Sequence, residues 1–234
     1  MEKADASFSS LAKFALSNLG EGLSEHAPYY AIISAAGIAL ALLSPRPPTG
    51  APLQVLFAFF ALAFAMRRFD ARFRMTPANV AGLIVMWIVI AIIITLAIVL
   101  PVLVLERMLG MPGILFFLIV AIWPTVKWSL AAPIYLMPYS PRLSPFDALR
   151  ESWIIVSGER WWILFALAIV SALFGIFARI VAPRIVYALV PVGEYQVAEG
   201  LAAACVYVGA ILSTLFAQLF VTAAAAAWTL PANE

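Results

Sequence analysis

The chain has 234 residues, of which 65% are hydrophobic and 11% charged, whereas a soluble domain carries about 45–50% apolar and about 25% charged residues. Its net charge of +2 is too small to suggest nucleic-acid binding. A single cysteine, Cys205, excludes an intramolecular disulfide framework, and a single histidine, His26, far from it leaves no Cys/His metal site or catalytic pair.

So much apolar surface exceeds what one water-facing core can hide, and the charges collect in short clusters between long uncharged stretches. Lipid is therefore the expected solvent. The expected fold class is all-α: one membrane domain over residues 1–234, a polytopic transmembrane bundle of six spans with amphipathic interfacial helices.

Residues 1–26 hold Glu2, Lys3, Asp5, Lys13, Glu21 and Glu25, unlike the basic, then apolar, start of a signal peptide, so the first span is expected to remain as an anchor. Within this segment Phe8, Leu11, Ala12, Ala15 and Leu19 recur at helical spacing, which predicts a helix lying in the interface. A span needs about 20 apolar residues. The first is expected over 27–43, ending at the proline-rich 44–50. The second, 51–66, ends in Arg67-Arg68, whose stems can lengthen it by snorkelling. The third, 79–105, is uncharged throughout and long enough to tilt.

A fourth span is expected over 112–137, interrupted by Pro124, Lys127 and Pro133. Ser144-Pro145-Phe146-Asp147 then forms a helix start, with a serine cap, proline in the first turn and Asp147 bonding back. An amphipathic helix over 144–157 follows, with Phe146, Leu149, Trp153 and Val156 on one face and Gly158 ending it. The fifth span is expected over 161–178. Residues 180–192, broken by Pro183, read as a separate interfacial segment. The sixth span covers 201–228.

Six spans put both termini on the side of the loops after the second and fourth spans. That side carries nine Lys and Arg, namely Lys3, Lys13, Arg67, Arg68, Arg72, Arg74, Arg142, Arg150 and Arg160. The other carries four, Arg46, Arg107, Arg179 and Arg184. The excess predicts cytoplasmic termini.

Few residues offer chemistry. Arg67, Arg68, Arg72 and Arg74 flank Asp70, and the default reading is a topology signal that holds this loop inside. The functional alternative is a site for anionic lipid headgroups, each cation being worth about 1 kcal/mol near the surface. Lys127 is the one charge inside an apolar span, and Pro124 beside it frees a backbone carbonyl. Together they are a candidate intramembrane polar site. The more economical reading ends the span near Leu130 and lets Lys127 snorkel to the interface. No carboxylate lies in a span core, which weakens a transporter.

Gly209, Ser213 and Ala217 form a small-residue row at i, i+4, i+8, beside Ala210, Thr214, Gln218 and Thr222, and predict close helix packing within the chain before any dimer seam. Glu194 and Glu199 fall in one expected loop and read as ordinary solvated glutamates rather than a metal or acid–base pair. No catalytic residue, metal or cofactor is expected.

From Pro133 to Phe165 the chain reads PIYLMPYSPRLSPFDALRESWIIVSGERWWILF: an apolar span ending in proline, a polar link, an amphipathic helix, a glycine and an Arg-Trp-Trp span start. This resembles the YciC-like membrane proteins and the related membrane domain fused to some bacterial glycerophosphodiester phosphodiesterases. Those proteins carry an A-L-(K/R)-x-S-W helix followed by glycine and a basic–aromatic span start. The matching positions are Ala148, Leu149, Arg150, Ser152, Trp153, Gly158, Arg160 and Trp161. The resemblance implies a bacterial inner-membrane protein of a family whose activity is mostly undefined. The phosphodiesterase barrel has no counterpart here, so that activity does not carry over. The motif reads as a cytoplasmic elbow in which Trp153 and Trp161 sit at headgroup level while Arg150 and Arg160 point to phosphates.

The sequence thus predicts a non-enzymatic accessory or scaffold component that packs with lipid, anionic in particular, or with another membrane protein or a second copy of itself. A small-solute or lipid transporter, or its binding subunit, is the alternative. A membrane-embedded lipid enzyme ranks last.

Overall fold

The computed structural model describes residues 7–43, 51–96, 101, 122–137, 143–190 and 195–229. Among these the ordered elements are helical, with no strand. Most of the expected third span beyond residue 96, residues 112–121 of the fourth, and Arg46, Arg107, Arg142 and Glu194 lie outside the described residues.

α1 runs from Phe8 to Leu43 as one helix with Pro28 inside it. The sequence expectation divided this stretch into an interfacial helix and a span. A helix of 36 residues is about 54 Å long, well beyond the roughly 30 Å of a hydrocarbon core. Pro28 lacks the N–H that would reach Ser24, yet helical backbone continues through it. On the turns before Pro28, Asn18, Glu21 and Glu25 are tied to the next helix. That helix, α2, spans Ala51–Phe69, and Arg67 and Arg68 in its last turn suit the negative end of the helix dipole.

α3, Pro77–Ile94, starts two residues before the expected 79, for local reasons. The Thr76 hydroxyl accepts the Asn79 N–H at 3.2 Å, and Pro77 occupies the first turn. The expected fourth span is broken: residues 122–127 are helical, 128–130 turn, and α4 covers Ala131–Leu136.

α5, Pro145–Ile155, carries the expected capping box. The Ser144 hydroxyl accepts the Asp147 N–H and Asp147 Oδ2 accepts the Ser144 N–H, both at 3.2 Å. Its buried face differs from the predicted one. Ala148, Leu149, Ser152 and Val156 are buried, whereas Phe146 is 59% exposed, because Ser152 is drawn inward by a hydrogen bond described below. Gly158 turns the chain with φ +57°, a left-handed conformation that a side chain strains.

α6, Glu159–Ile176, passes through a π-helical turn, Phe177–Val181, into α7, Ala182–Leu189. Residues 180–189 are therefore a continuation of the helix before them, not the separate segment that Pro183 suggested. In the wider turn the Ala182 N–H bonds to Phe177 O, five residues back, and the looser winding accommodates the missing proline donor. α8, Tyr195–Thr229, is 35 residues long and places Glu199 in a helix instead of a loop.

Three of these helical segments are long and apolar enough to cross a membrane: Pro77–Ile94, Glu159–Ile176 and Val197–Thr229. The shares of their apolar windows buried by the rest of the chain are 11%, 11% and 33%. Most of each surface is left for lipid or for another apolar partner.

The residues divide into two compact units. The first contains 72–166 and the chain from 224 on. There α3 and α4 both pack on α5, Gly82 lets the Tyr135 ring lie against the α3 backbone, and Leu83, Met86, Val126, Leu130, Ile134, Leu149 and Val156 are buried. The second unit contains 5–71 and 167–223. Its core joins Tyr30, Phe57, Tyr207 and Ile211, with Leu23 and Phe60 against them. At Gly22 an added Cβ would stand 2.8 Å from Phe64 and 2.9 Å from Leu215, so glycine there permits the helices' close approach.

Candidate functional site

In the first unit Lys127 is neither in an open polar cavity nor simply extended to the surface. Its Nζ donates to the Trp153 carbonyl at 3.2 Å, and Ser152 Oγ donates to the Lys127 carbonyl at 2.7 Å. The ammonium lies 5.8 Å from the Trp123 ring centre and 5.5 Å from that of Trp153, within the range of cation–π attraction. Those two rings meet edge to face at 4.7 Å. A reciprocal bond and an aromatic cradle thus clamp helical residues 122–127 to the last turns of α5, whose carbonyls carry the negative end of the helix dipole. Pro124 contributes its own carbonyl to the Trp128 N–H at 3.0 Å. Of the two residues named as a candidate intramembrane polar site, Lys127 is thus bonded to α5, and Pro124 makes only the local bond to Trp128.

Elsewhere in that unit Arg150 and Arg160 are exposed, and the Arg160 guanidinium sits 5.4 Å from the Trp228 ring centre. Trp161 stacks on Phe165 at 4.8 Å, and Trp162 is 64% exposed. The outward row of α5, Phe146, Arg150 and Ile154, alternates apolar and basic groups. The Ser144 bonds hold the exposed Asp147 carboxyl below its usual range, which keeps the cap charged.

The arginine cluster separates into two kinds. In the second unit Arg67 Nη1 meets Glu25 Oε1 at 2.7 Å. Arg68 bonds Glu21 Oε1 through Nη1 and Asn18 Oδ1 through Nε, each at 2.7 Å. These guanidiniums tie α2 to α1 and are not free for headgroups. Arg72 and Arg74 belong to the first unit, and both are exposed. The signal for the pairing was present, since Asn18, Glu21 and Glu25 share one face of a helix at 3–4 spacing.

The small-residue row of α8 meets α6 and the π turn. A Cβ on Gly209 would collide with that of Ala178, so Gly209 marks a close helix crossing. Ser213 lines a groove of about 430 Å³ with Ser171, Gly175, Ala210 and Thr214. Ala217 is half-buried on the same row, and Cys205, also half-buried, is a free thiol.

Sequence reasoning passed over one face of α1. His26 is 6% exposed and Tyr30 is 4% exposed. Both His26 ring nitrogens, the Tyr30 hydroxyl and the Ser34 hydroxyl are buried with no hydrogen-bond partner among the described residues. Each buried polar atom left so costs about 1–3 kcal/mol. Four rings, Tyr29, Tyr30, Phe60 and Phe64, surround the imidazole at 6.0 to 6.1 Å between centres, and Glu25 Oε1 lies 4.0 Å from Nε2. The pattern that could have revealed it is the i, i+4, i+8 spacing of His26, Tyr30 and Ser34. Among the described residues no group of three or more His, Cys, Asp or Glu side chains is placed to hold a metal.

The chain matches no family model, no curated protein and no solved structure.

Proposed function

We propose that this is a non-enzymatic polytopic protein of a bacterial inner membrane, crossing it six times with both termini in the cytoplasm. In this reading it acts as an accessory or scaffold component that packs with anionic lipid and a partner membrane protein or a second copy. The observation that carries it is the openness of the candidate spans, whose windows are only 11%, 11% and 33% buried. Helices this apolar and this uncovered have surface to offer along their length. The likeness of residues 133–165 to the YciC-like proteins and the nine-to-four distribution of cations support the membrane and the orientation. Arg150 and Arg160 beside Trp162 and Trp228 suit a headgroup belt, with Arg72 and Arg74 as further contacts.

Purification of the full chain in native-lipid discs tests this reading. We expect co-isolated phosphatidylglycerol or cardiolipin, reduced about fivefold for each cation in Arg150→Gln and Arg160→Gln. A lone detergent-solubilised chain that turns over a substrate, or lipid content indifferent to both substitutions, defeats the reading. The transporter alternative draws on the groove beside Ser213 rather than on Lys127. Ser213→Phe would fill that groove, and uptake unaffected by it removes that alternative.

A further inference from the structure

The face His26–Tyr30–Ser34 has a chemistry that neither lipid packing nor scaffolding uses. Side chains four apart on a helix are displaced by about 6 Å along its axis. That gap is too long for one direct hydrogen bond, so a link along this face runs through intervening water. Buried polar atoms without protein partners are where internal water resides, provided each water finds several of them. The four buried atoms of this face supply both donors and acceptors: an imidazole N–H, an imidazole lone pair and two hydroxyls.

The groups facing His26 act on its proton in opposite directions: burial and the Arg67 charge oppose it and the Glu25 carboxylate favours it, so the imidazole protonates below its ordinary range. From its own helix come the Glu25 carboxylate at 4.0 Å and the Tyr29 and Tyr30 rings, with Glu21 a turn earlier already bound to Arg68. From α2 come the Phe60 and Phe64 rings and the Arg67 guanidinium, which is paired with Glu25 at 2.7 Å and opposes the proton. α8 adds Tyr207 and Ile211 to the apolar cluster around Tyr30. The ion pair of Glu25 and Arg67 is partly exposed, at 38% and 45% of side-chain area, so a polar opening at the chain's surface lies one residue from the imidazole.

We propose that this face of α1 is a hydrated proton-binding file, entered beside the Glu25–Arg67 pair, with His26 as the group that takes up the proton. A hydronium at the mouth gives its proton to the free imidazole nitrogen and leaves as water. The imidazolium then donates through the opposite N–H to a water shared with Tyr30, whose hydroxyl passes the hydrogen-bond chain on to Ser34. No bond other than N–H and O–H is made or broken, and no further reactant is needed. The proposal stands apart from the scaffold reading and requires only that the second unit fold as described.

Because His26 is the single histidine, the full untagged chain labelled with 15N-histidine in lipid nanodiscs gives the ring signals of this residue alone. On acidification from about pH 8 through and below the ordinary imidazole value near 6.5, because burial lowers the His26 pKa, the signals should move from the neutral to the imidazolium pattern and exchange magnetisation with water. Tyr30→Phe and Ser34→Ala remove one hydroxyl each while keeping the ring or the helix. Each should slow water exchange about fivefold, the factor for one lost hydrogen bond. A ring that stays neutral and dry at the acid end overturns the proposal without any variant, as does exchange unchanged in both hydroxyl variants.

Discussion

The two units stabilise their cations near apolar surroundings in different ways. In the second, Arg67 and Arg68 meet the carboxylates of Glu25 and Glu21 at 2.7 Å, with the acids 38% and 54% exposed. In the first, Lys127 meets no carboxylate among the described residues and rests on a backbone carbonyl and two indole rings. Where water reaches, an ion pair is cheap to form and weak in return. At half-buried Lys127, a peptide dipole and π faces do the same task without bringing in a second charge that must also be desolvated. The comparison teaches that a cation in an apolar stretch can be structural when a helix end and tryptophans surround it.

The largest effect should come from reversing the Lys127 charge. Lys127→Glu sets a carboxylate against the Trp153 carbonyl and the negative faces of both indoles. A loss of about 2–3 kcal/mol is expected, measured as a fall in unfolding midpoint in mild detergent. Lys127→Met, which keeps the stem, should lose only about 1 kcal/mol. Equal losses in the two variants would mean that the charge has no part in the clamp.

A smaller effect is expected across α1 and α2. Arg68→Ala gives up bonds to Glu21 and Asn18 and should cost about 1 kcal/mol, diminished at high salt because the pair is partly solvated. If salt affects Lys127 variants as strongly as Arg68 variants, the contrast between the two regions fails.

The α5 cap offers the finest test. Ser144→Ala should destabilise the helix by about 0.5–1 kcal/mol. The Asp147 carboxyl lies below its ordinary value of 3.8 in the folded chain. Its contribution is therefore complete above that value and disappears as the pH falls through the lower folded one. Helix content lost on acidification should be smaller in Asp147→Asn than in the native chain, read by circular dichroism.

What could be read from the sequence was local. Ser144, Pro145 and Asp147 define the start of α5 within four residues, whereas the Thr76-Pro77 start of α3 was passed over and the span begun at 79. The long apolar stretches of α3, α6 and α8 announce themselves by composition. What escaped depends on partners distant in the chain. The continuity of α1 through Glu25, His26 and Pro28 follows from charges on α2, some 42 to 50 residues away. The inward turn of Ser152 follows from the Lys127 carbonyl, 25 residues earlier. The His26 face was diluted by the aromatic residues that enclose it, so it reads as an ordinary hydrophobic stripe until the neighbouring rings are placed.

The π turn ahead of Pro183 has a consequence for helix phase. Holding one residue more than an α turn, it advances every later side chain by about 100° around the axis. The stripe of α6 that presents Ser171, Gly175 and Ala178 to the last helix therefore does not extend as the same stripe into α7, where Ile185 and Leu189 point outward. One inserted position thus acts as a vernier between two surfaces of a continuous rod. Deleting a single residue there would turn the far end by about a quarter revolution while leaving the composition of the span almost unchanged.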